Sequence, residues 1–429
     1  MVYYRSNHFE RARTIRKGER KLQDTELYTK LLGITSPWHI TKVIFNDSPE
    51  RIDVYLTHAP DILLPCPECK EYSPVYDHMK ERSWQHLNTC HVPTYIHTKL
   101  PRIKCKEHGI RQIISDWAGA GSDMTKAYES HVIDLQKECS IEGVTRLTGL
   151  GWHRCWGVMN RAVNRGLKRK TKRIPARIGV DEKSFARGHK YETLVYDLQE
   201  STVEYVGENR KQESLARYYE QFSKEELAAV EVITMDMWDP YIAATQAAIP
   251  GAEDKIVFDK FHIMRQTTEA VDKVRKQEHR ELMQADMDWL KGTKFLWLWN
   301  EENIPEHRRK EFEGLRKLDL KVGRAWAVKE NLRNLWNYHS KGWAERFFKG
   351  WYFWATHSRL EPVIEAAKTI KRHLHNILTY VKHRITNALG EGLNSKIEKI
   401  KRMACGYRNR EHYKTAIYFH CGGLDLCPR

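Results

Sequence analysis

The sequence predicts an α+β chain of several domains, and three observations predict it. Two apolar, β-branched runs each end on an aspartate, Arg177-Ile-Gly-Val-Asp181 and Val230-Glu-Val-Ile-Thr-Met-Asp236, as buried strands do. Paired Cys and His residues cluster between positions 66 and 108. A long helical stretch then separates the second aspartate from Glu391, which lies in Asn387-Ala-Leu-Gly-Glu-Gly-Leu-Asn394 on a segment of helical periodicity. Acids on two strands and one helix can converge on divalent metal for phosphoryl chemistry.

Composition narrows the partner. A chain of 429 residues has room for several cores, and its net charge of +16 points to a polyanion, with nucleic acid ahead of anionic membrane. Mean hydropathy is −0.67, and no run approaches the ~18 apolar residues of a membrane span. The opening Met1-Val-Tyr-Tyr-Arg5 leads into charge rather than a signal-peptide core, so a cytoplasmic, reducing location is expected. Nine cysteines in a chain of this length do not make a disulfide framework. Positive charge is concentrated: nine Lys/Arg and no acid from Arg154 to Arg177, and eleven Lys/Arg against Glu391 and Glu398 from Lys368 to Arg410.

In chain order, residues 1–60 form a basic α+β segment. It opens with Arg11, Arg13, Arg16, Lys17, Arg20 and Lys21, and continues with a short helix at Glu26–Leu32 and strands at Ile40–Phe45 and Arg51–Thr57. Residues 61–112 read as a zinc-binding module. Cys66-Pro-Glu-Cys69 and Cys105-Lys-Glu-His108 are two chelating pairs, each able to turn tightly and aim both side chains at one ion. Gly109 supplies permissive backbone for the second turn, while His86, Cys90 and His91 are alternatives to His108 as fourth ligand. Cys139, Cys155, Cys405, Cys421 and Cys427 show no such pairing and read as structural.

Residues 125–170 read as a helix-turn-helix: Ile141–Leu147, the turn Thr148-Gly-Leu-Gly151, then Trp152–Leu167. His153, Arg154, Asn160, Arg161, Asn164 and Arg165 are its candidates to reach DNA. From 176 to 264 the order is strand (Asp181), strand (Thr193–Asp197), strand (Thr202–Val206), helix (Gln212–Phe222), strand (Asp236), then Lys255–Phe258 running into Asp259-Lys-Phe-His262. That is the opening order of a ribonuclease H-like domain. Residues 265–375 read as an all-helical insertion, and eight of the fourteen tryptophans lie at 286–355, as the core of an independent subdomain. Residues 376–403 read as one long amphipathic helix within a last core segment, 376–410, and 411–429 as a tail.

At 100° per residue that helix gathers Ile385, Leu389, Leu393, Ile397 and Ile400 on one stripe, and Asn387, Glu391, Asn394 and Glu398 opposite. A solvated carboxylate would share this pattern. Gly390 and Gly392 favour a functional Glu391, since each costs roughly 1 kcal/mol relative to alanine inside a helix. Close approach of another backbone or a DNA strand gives a reason for them. In-line displacement at a phosphodiester uses two divalent ions about 4 Å apart, and carboxylates suit magnesium.

With these residues in place, the chain resembles the DDE insertion-sequence transposases of the ISL-three family over nearly its whole length. The likeness is carried by Glu26-Leu-Tyr-Thr-Lys-Leu-Leu-Gly-Ile34, Cys66-Pro-Glu-Cys69, Pro101-Arg-Ile-Lys-Cys105-Lys-Glu-His-Gly109, Ile178-Gly-Val-Asp-Glu-Lys183, Asp236-Met-Trp238, Asp259-Lys-Phe-His262 and Glu391-Gly-Leu-Asn-Ser-Lys-Ile397. It implies a catalytic triad of Asp181, Asp236 and Glu391 in a ribonuclease H-like core interrupted by a helical insertion, with Asp259 and His262 as accessory residues. It further implies Mg2+ (two ions, or Mn2+), structural Zn2+, binding to terminal inverted repeats and target DNA, a homodimer on the DNA ends, and a nucleoid-associated bacterial protein. The second zinc pair departs from the family by ending in His108 rather than Cys. Lys399 and Arg402 are read as non-specific DNA contacts. Two alternatives stay open: a ribonuclease H-like nuclease that cuts without joining, and a zinc/helix-turn-helix regulator without catalysis.

Overall fold

The computed structural model describes residues 23–119, 121–186, 188, 190–385 and 388–428. The expected N-terminal cations Arg11 to Lys21, and Asn387, lie outside the described residues. The chain divides into two compact units, one reaching Val158 and including the chain from Cys427 on, the other running from Met159 to Leu426.

The first unit begins with α1 (Asp24–Leu31), then β1 (Trp38–Asp47) and β2 (Glu50–His58), an antiparallel hairpin. β3 (Leu63–Pro65), β4 (Tyr72–His78), β5 (Arg82–Thr89), β6 (Val92–Thr98), β7 (Pro101–Cys105) and β8 (Gly109–Gln112) follow. They form two four-stranded sheets, ordered β1-β2-β6-β5 and β3-β4-β7-β8. Alternation along β6 buries Thr94, Ile96 and Thr98, and Trp84 meets Trp117 edge to face, so a small module acquires a real core. α2 (Lys126–Glu138) is capped by Thr125, and α3 (Ile141–Thr148) by Ser140. Gly149, at φ 71°, ends α3 in the left-handed conformation that glycine alone adopts without strain. α4 (Trp152–Arg169) begins in this unit, where buried Gln136 of α2 donates to the Cys155 carbonyl at 2.7 Å.

The second unit is built on a five-stranded mixed sheet of β9 (Arg177–Ala186), β10 (Lys190–Asp197), β11 (Thr202–Glu208), β12 (Val232–Met235) and β13 (Ile256–Phe258). The order is β11-β10-β9-β12-β13. β9, β10 and β11 are antiparallel neighbours, while β12 and β13 run parallel to β9. β12 and β13 are buried at every position, which explains their unbroken apolar runs. β9 does not end at Asp181 as expected; it continues to Ala186, with Asp181 opposite Leu194.

In chain order α5 (Gln212–Tyr219) and α6 (Lys224–Ala228) lie between β11 and β12, and α7 (Asp239–Ala248) between β12 and β13. A helical stretch then follows: α8 (Lys260–Gln284), α9 (Lys294–Leu298), α10 (Glu306–Arg316), α11 (Lys321–Leu332), α12 (Lys341–Thr356), α13 (Glu361–Arg372) and α14 (Leu374–His383). Trp297, Trp326, Trp336 and Trp351 are buried in it, while Trp289, Trp343 and Trp354 are exposed. The expected independent core is not there. Its buried side chains run through Ile263, Val271 and Ile377 into Ile178, Val180 and Phe258 of the sheet as one continuous cluster.

Two further expectations fail. The long helix 376–403 is broken: α14 ends at His383, and Arg384 turns left-handed at φ 50°, its guanidinium donating to the carbonyls of Trp336 and Tyr338. α15 (Ala388–Met403) then starts afresh. Leu393, Ile397 and Ile400 are buried as expected, but Leu389, at the start of the new helix, is 48% exposed. The expected tail instead forms α16 (Arg410–Cys421), whose Tyr413, Ile417 and Phe419 are buried and whose Tyr418 hydroxyl accepts the Val206 amide of β11 at 3.1 Å.

Candidate active site

The parallel pairing of β9 and β12 brings the first two acids together, since Asp181 lies on β9 and Asp236 follows the last residue of β12. Burial, then the Asp236 charge, pushes the Asp181 carboxyl up to about 6. Two donors work against this: the Glu182 amide, 2.7 Å from Asp181 Oδ1, and the Asn394 side chain, which donates to Oδ2. Asp236 Oδ1 lies 2.8 Å from His262 Nε2. Burial lowers the His262 pKa, but that hydrogen bond and the charges of Asp236, Asp259 and Asp181 outweigh it, and the net shift is upward. The neighbouring carboxylates favour the charged form of this imidazole.

Asp259 performs two tasks. Its Oδ1 caps α8 by accepting the Phe261 amide at 3.0 Å, which places His262 in the helix's first turn. Its Oδ2 is buried with no hydrogen-bond partner among the described residues, and burial raises its pKa. Glu182 pairs with Arg210 at 3.4 Å, and that guanidinium also lies over the rings of Tyr191 and Trp238.

Glu391 is exposed in the first turn of α15. Among the described residues, Asp181, Asp236 and Glu391 do not close into a group whose ligand atoms all lie within 4.8 Å of one another. Asn394, one turn beyond Glu391, ties α15 to Asp181. A Cβ built on Gly392 meets nothing within 4 Å, so that side of the helix is open rather than pressed against protein backbone. The sequence pattern puts Asn394 on the polar face with no partner to name, and its spacing of three from Glu391 is the local signal it carries.

One group of metal-ligating atoms does close to within 4.8 Å: Cys66, Cys69, Cys105 and His108. The two turns are built alike. Lys70 and Gly109, each just after the second ligand of its pair, take φ of 65° and 68°. Backbone amides of His108 and Glu107 donate to the Cys105 sulfur; with the His108 ring they hold its thiol down to about 6. Despite the Glu71 amide, burial and the neighbouring thiols push Cys69 the other way. His108 turns Nδ1 to the cysteines and Nε2 to Glu68 at 3.4 Å. His86 is spent elsewhere, 2.9 Å from the Thr125 hydroxyl, and Cys90 is exposed, so the structure gathers His108 rather than the alternatives.

A family model described as a transposase matches residues 178–417, more than half of the chain. The chain belongs to the ISL3 family of transposases. A zinc-finger model of transposases IS204/IS1001/IS1096/IS1165 matches residues 64–108 of this transposase, and the helix-turn-helix model of family ISL3 matches 113–163. Among its relatives is a transposase for insertion sequence element IS1001 of Bordetella parapertussis, 25% identical across 93% of this chain and 97% of its own. A transposase for insertion sequence element IS1557 of Mycobacterium tuberculosis is 23% identical across 90% of this chain and 93% of its own.

The helix-turn-helix of the transposase places its expected DNA contacts unequally. His153, Asn160 and Asn164 are exposed and share one face of α4 at helical spacing. Arg154 is tied to Asp123 at 2.9 Å and to the Gln85 side chain at 2.9 Å. Arg165 gives two donors to the Leu426 carbonyl, at 3.1 and 2.7 Å, and Arg161 is partly buried and also engaged. Lys399 and Arg402 are exposed on α15. Among the described residues no helix is long and apolar enough to cross a membrane.

Proposed function

We propose that this transposase binds the terminal repeats of an insertion sequence and cuts and joins DNA at a site formed by Asp181, Asp236 and Glu391. The observation that carries the proposal is the juxtaposition of Asp181 on β9 and Asp236 at the end of the parallel neighbour β12, with the Asp181 carboxyl pushed up by burial and then by the Asp236 charge. Two repelling carboxylates, with the buried Asp259 Oδ2 that has no partner among the described residues, form an anionic, oxygen-only donor set, which fits a hard divalent cation. The core is proposed to be ribonuclease H-like, interrupted between Asp259 and α15 by the helical stretch. The sheet order, with three antiparallel strands followed by two parallel ones, supports this.

In the proposed mechanism Asp181, Asp236 and Glu391 would hold magnesium or manganese, which when bound would help activate the attacking oxygen and offset charge on the leaving oxygen. The protein's part is orientation. His262 fixes the Asp236 carboxylate and holds a proton at Nε2, and Asp259 anchors the helix turn that presents His262. No side chain is required as a covalent nucleophile.

Cys66, Cys69, Cys105 and His108 are proposed as a structural zinc site. The exposed α4 face, with Arg161, is proposed to read the repeat, while Lys399 and Arg402 hold phosphates. We propose further that the DNA-bound species is a homodimer, one copy for each element end, acting on the bacterial nucleoid. Incubation with magnesium and labelled DNA carrying the element's ends tests this reading. Cleaved and joined products are expected; cleavage without joining would favour a nuclease.

A further inference from the structure

Asn394 bridges two elements that the sequence separates by about two hundred residues. Its Nδ2 donates to Asp181 Oδ2, and its Oδ1 accepts a 2.8 Å hydrogen bond from the Tyr196 hydroxyl. Tyr196 lies on β10, wholly buried, opposite Gly179 of β9. The reversed amide would set Oδ1 against the Asp181 carboxylate, acceptor against acceptor, so one orientation is strongly favoured. The Glu182 amide already holds Asp181 Oδ1 at 2.7 Å, so Asn394 completes the restraint on both carboxylate oxygens.

Asn394 also stands one turn after Glu391 on α15, and Tyr196 and Asp181 belong to paired strands of the sheet. The same bond therefore turns the first acid and sets the helix turn that carries the third. We infer that Asn394, itself oriented by Tyr196, is a positioning residue that couples the Asp181 carboxylate to the turn bearing Glu391. The inference rests on reading these acids as the metal site. An aspartate at 394 would repel Asp181. A leucine of similar size would leave the Tyr196 hydroxyl and one Asp181 oxygen without their partner.

The test counts free manganese by electron paramagnetic resonance as the full-length protein is titrated, with no turnover involved. Loss of an outer hydrogen bond to a metal-binding side chain typically weakens metal binding about 10–100-fold, and Asn394→Ala is expected to fall in that range. Tyr196→Phe, which preserves shape and guards against a folding artefact, should cause a smaller fall. If Tyr196 acts only through Asn394, Tyr196→Phe added to Asn394→Ala should cost nothing more. Wild-type manganese affinity in Asn394→Ala, or a Tyr196→Phe penalty that adds in full, would overturn the inference. Asp181→Asn separates the two levels: wild-type affinity in that variant would sink the acid-site reading itself, whereas loss there with a silent Asn394→Ala would sink this inference alone.

Discussion

Asp181 and Asp236 are restrained by different chemistry, one by neutral amide donors and one by an imidazole, and the consequences of losing each restraint differ. His262→Ala should leave both aspartates in place and lower strand cleavage about 10–100-fold without abolishing it. Cleavage at the wild-type rate across a metal titration would remove His262 from the site. A second residue-scale effect lies away from the chemistry. Glu192 on β10 is 1% exposed beneath Arg410, and burial pushes its carboxyl up to about 7 from 4.5. The folded state therefore binds this proton more tightly than the unfolded state. Stability contributed by Glu192 is fullest below about 4.5 and is lost as pH rises through about 7. The span corresponds to at most roughly 3 kcal/mol. Glu192→Gln should stabilise the protein at pH 8 relative to wild type and flatten the fall in Tm between pH 5 and 8. Parallel Tm curves for the two proteins would contradict this.

The zinc knuckles and the helix pair act as elements, and each loses its fold or its reading face as a unit. Cys66→Ser, Cys69→Ser or His108→Ala should release one zinc per chain and unfold the module, because structural zinc contributes folding free energy directly. His86→Ala should keep its zinc. Elemental analysis decides both, and purified protein without zinc would end the proposal. On α4, Arg161→Ala or Asn160→Ala should reduce preference for element ends over random DNA. Lys399→Ala should weaken both about equally, and indistinguishable specificity in the two classes would show that the surfaces are misassigned. Arg154→Ala should instead lower Tm, since Arg154 is pinned to Asp123 and Gln85. Elements governed by neighbours in sequence were legible: the knuckle spacing, the Gly149 turn and the apolar runs of β12 and β13. The break at Arg384 was not, because its cause is a pair of carbonyls on Trp336 and Tyr338, far away in the chain. α16 escaped for the same reason. Its tyrosines and His420 weaken a simple amphipathic pattern, and the burial of Tyr413 and Tyr418 shows only in their packing against Phe185 of β9 and on β11.

For the whole molecule, charge and the acid site together set behaviour on DNA. With a net charge of +16, binding should weaken steeply with salt. If about six phosphates are neutralised, log affinity should fall against log salt with a slope near −5, and a flat response would exclude a phosphate-dominated interface. The two strand acids of the candidate site were legible because each follows a local apolar run. Asn394 was not, since its role depends on partners on β9 and β10, far upstream. The central claim is that Asp181, Asp236 and Glu391 form one metal-dependent site for both cutting and joining. The most direct measurement is a strand-transfer assay with magnesium and labelled element ends, run on wild type and on Asp181→Asn, Asp236→Asn and Glu391→Gln, with end binding measured in parallel. Wild type should yield cleaved and joined DNA, and each variant neither, while binding ends nearly as well as wild type. Near-normal activity in Glu391→Gln would move the third acid to Glu398, and joined product from all three variants would contradict the account outright.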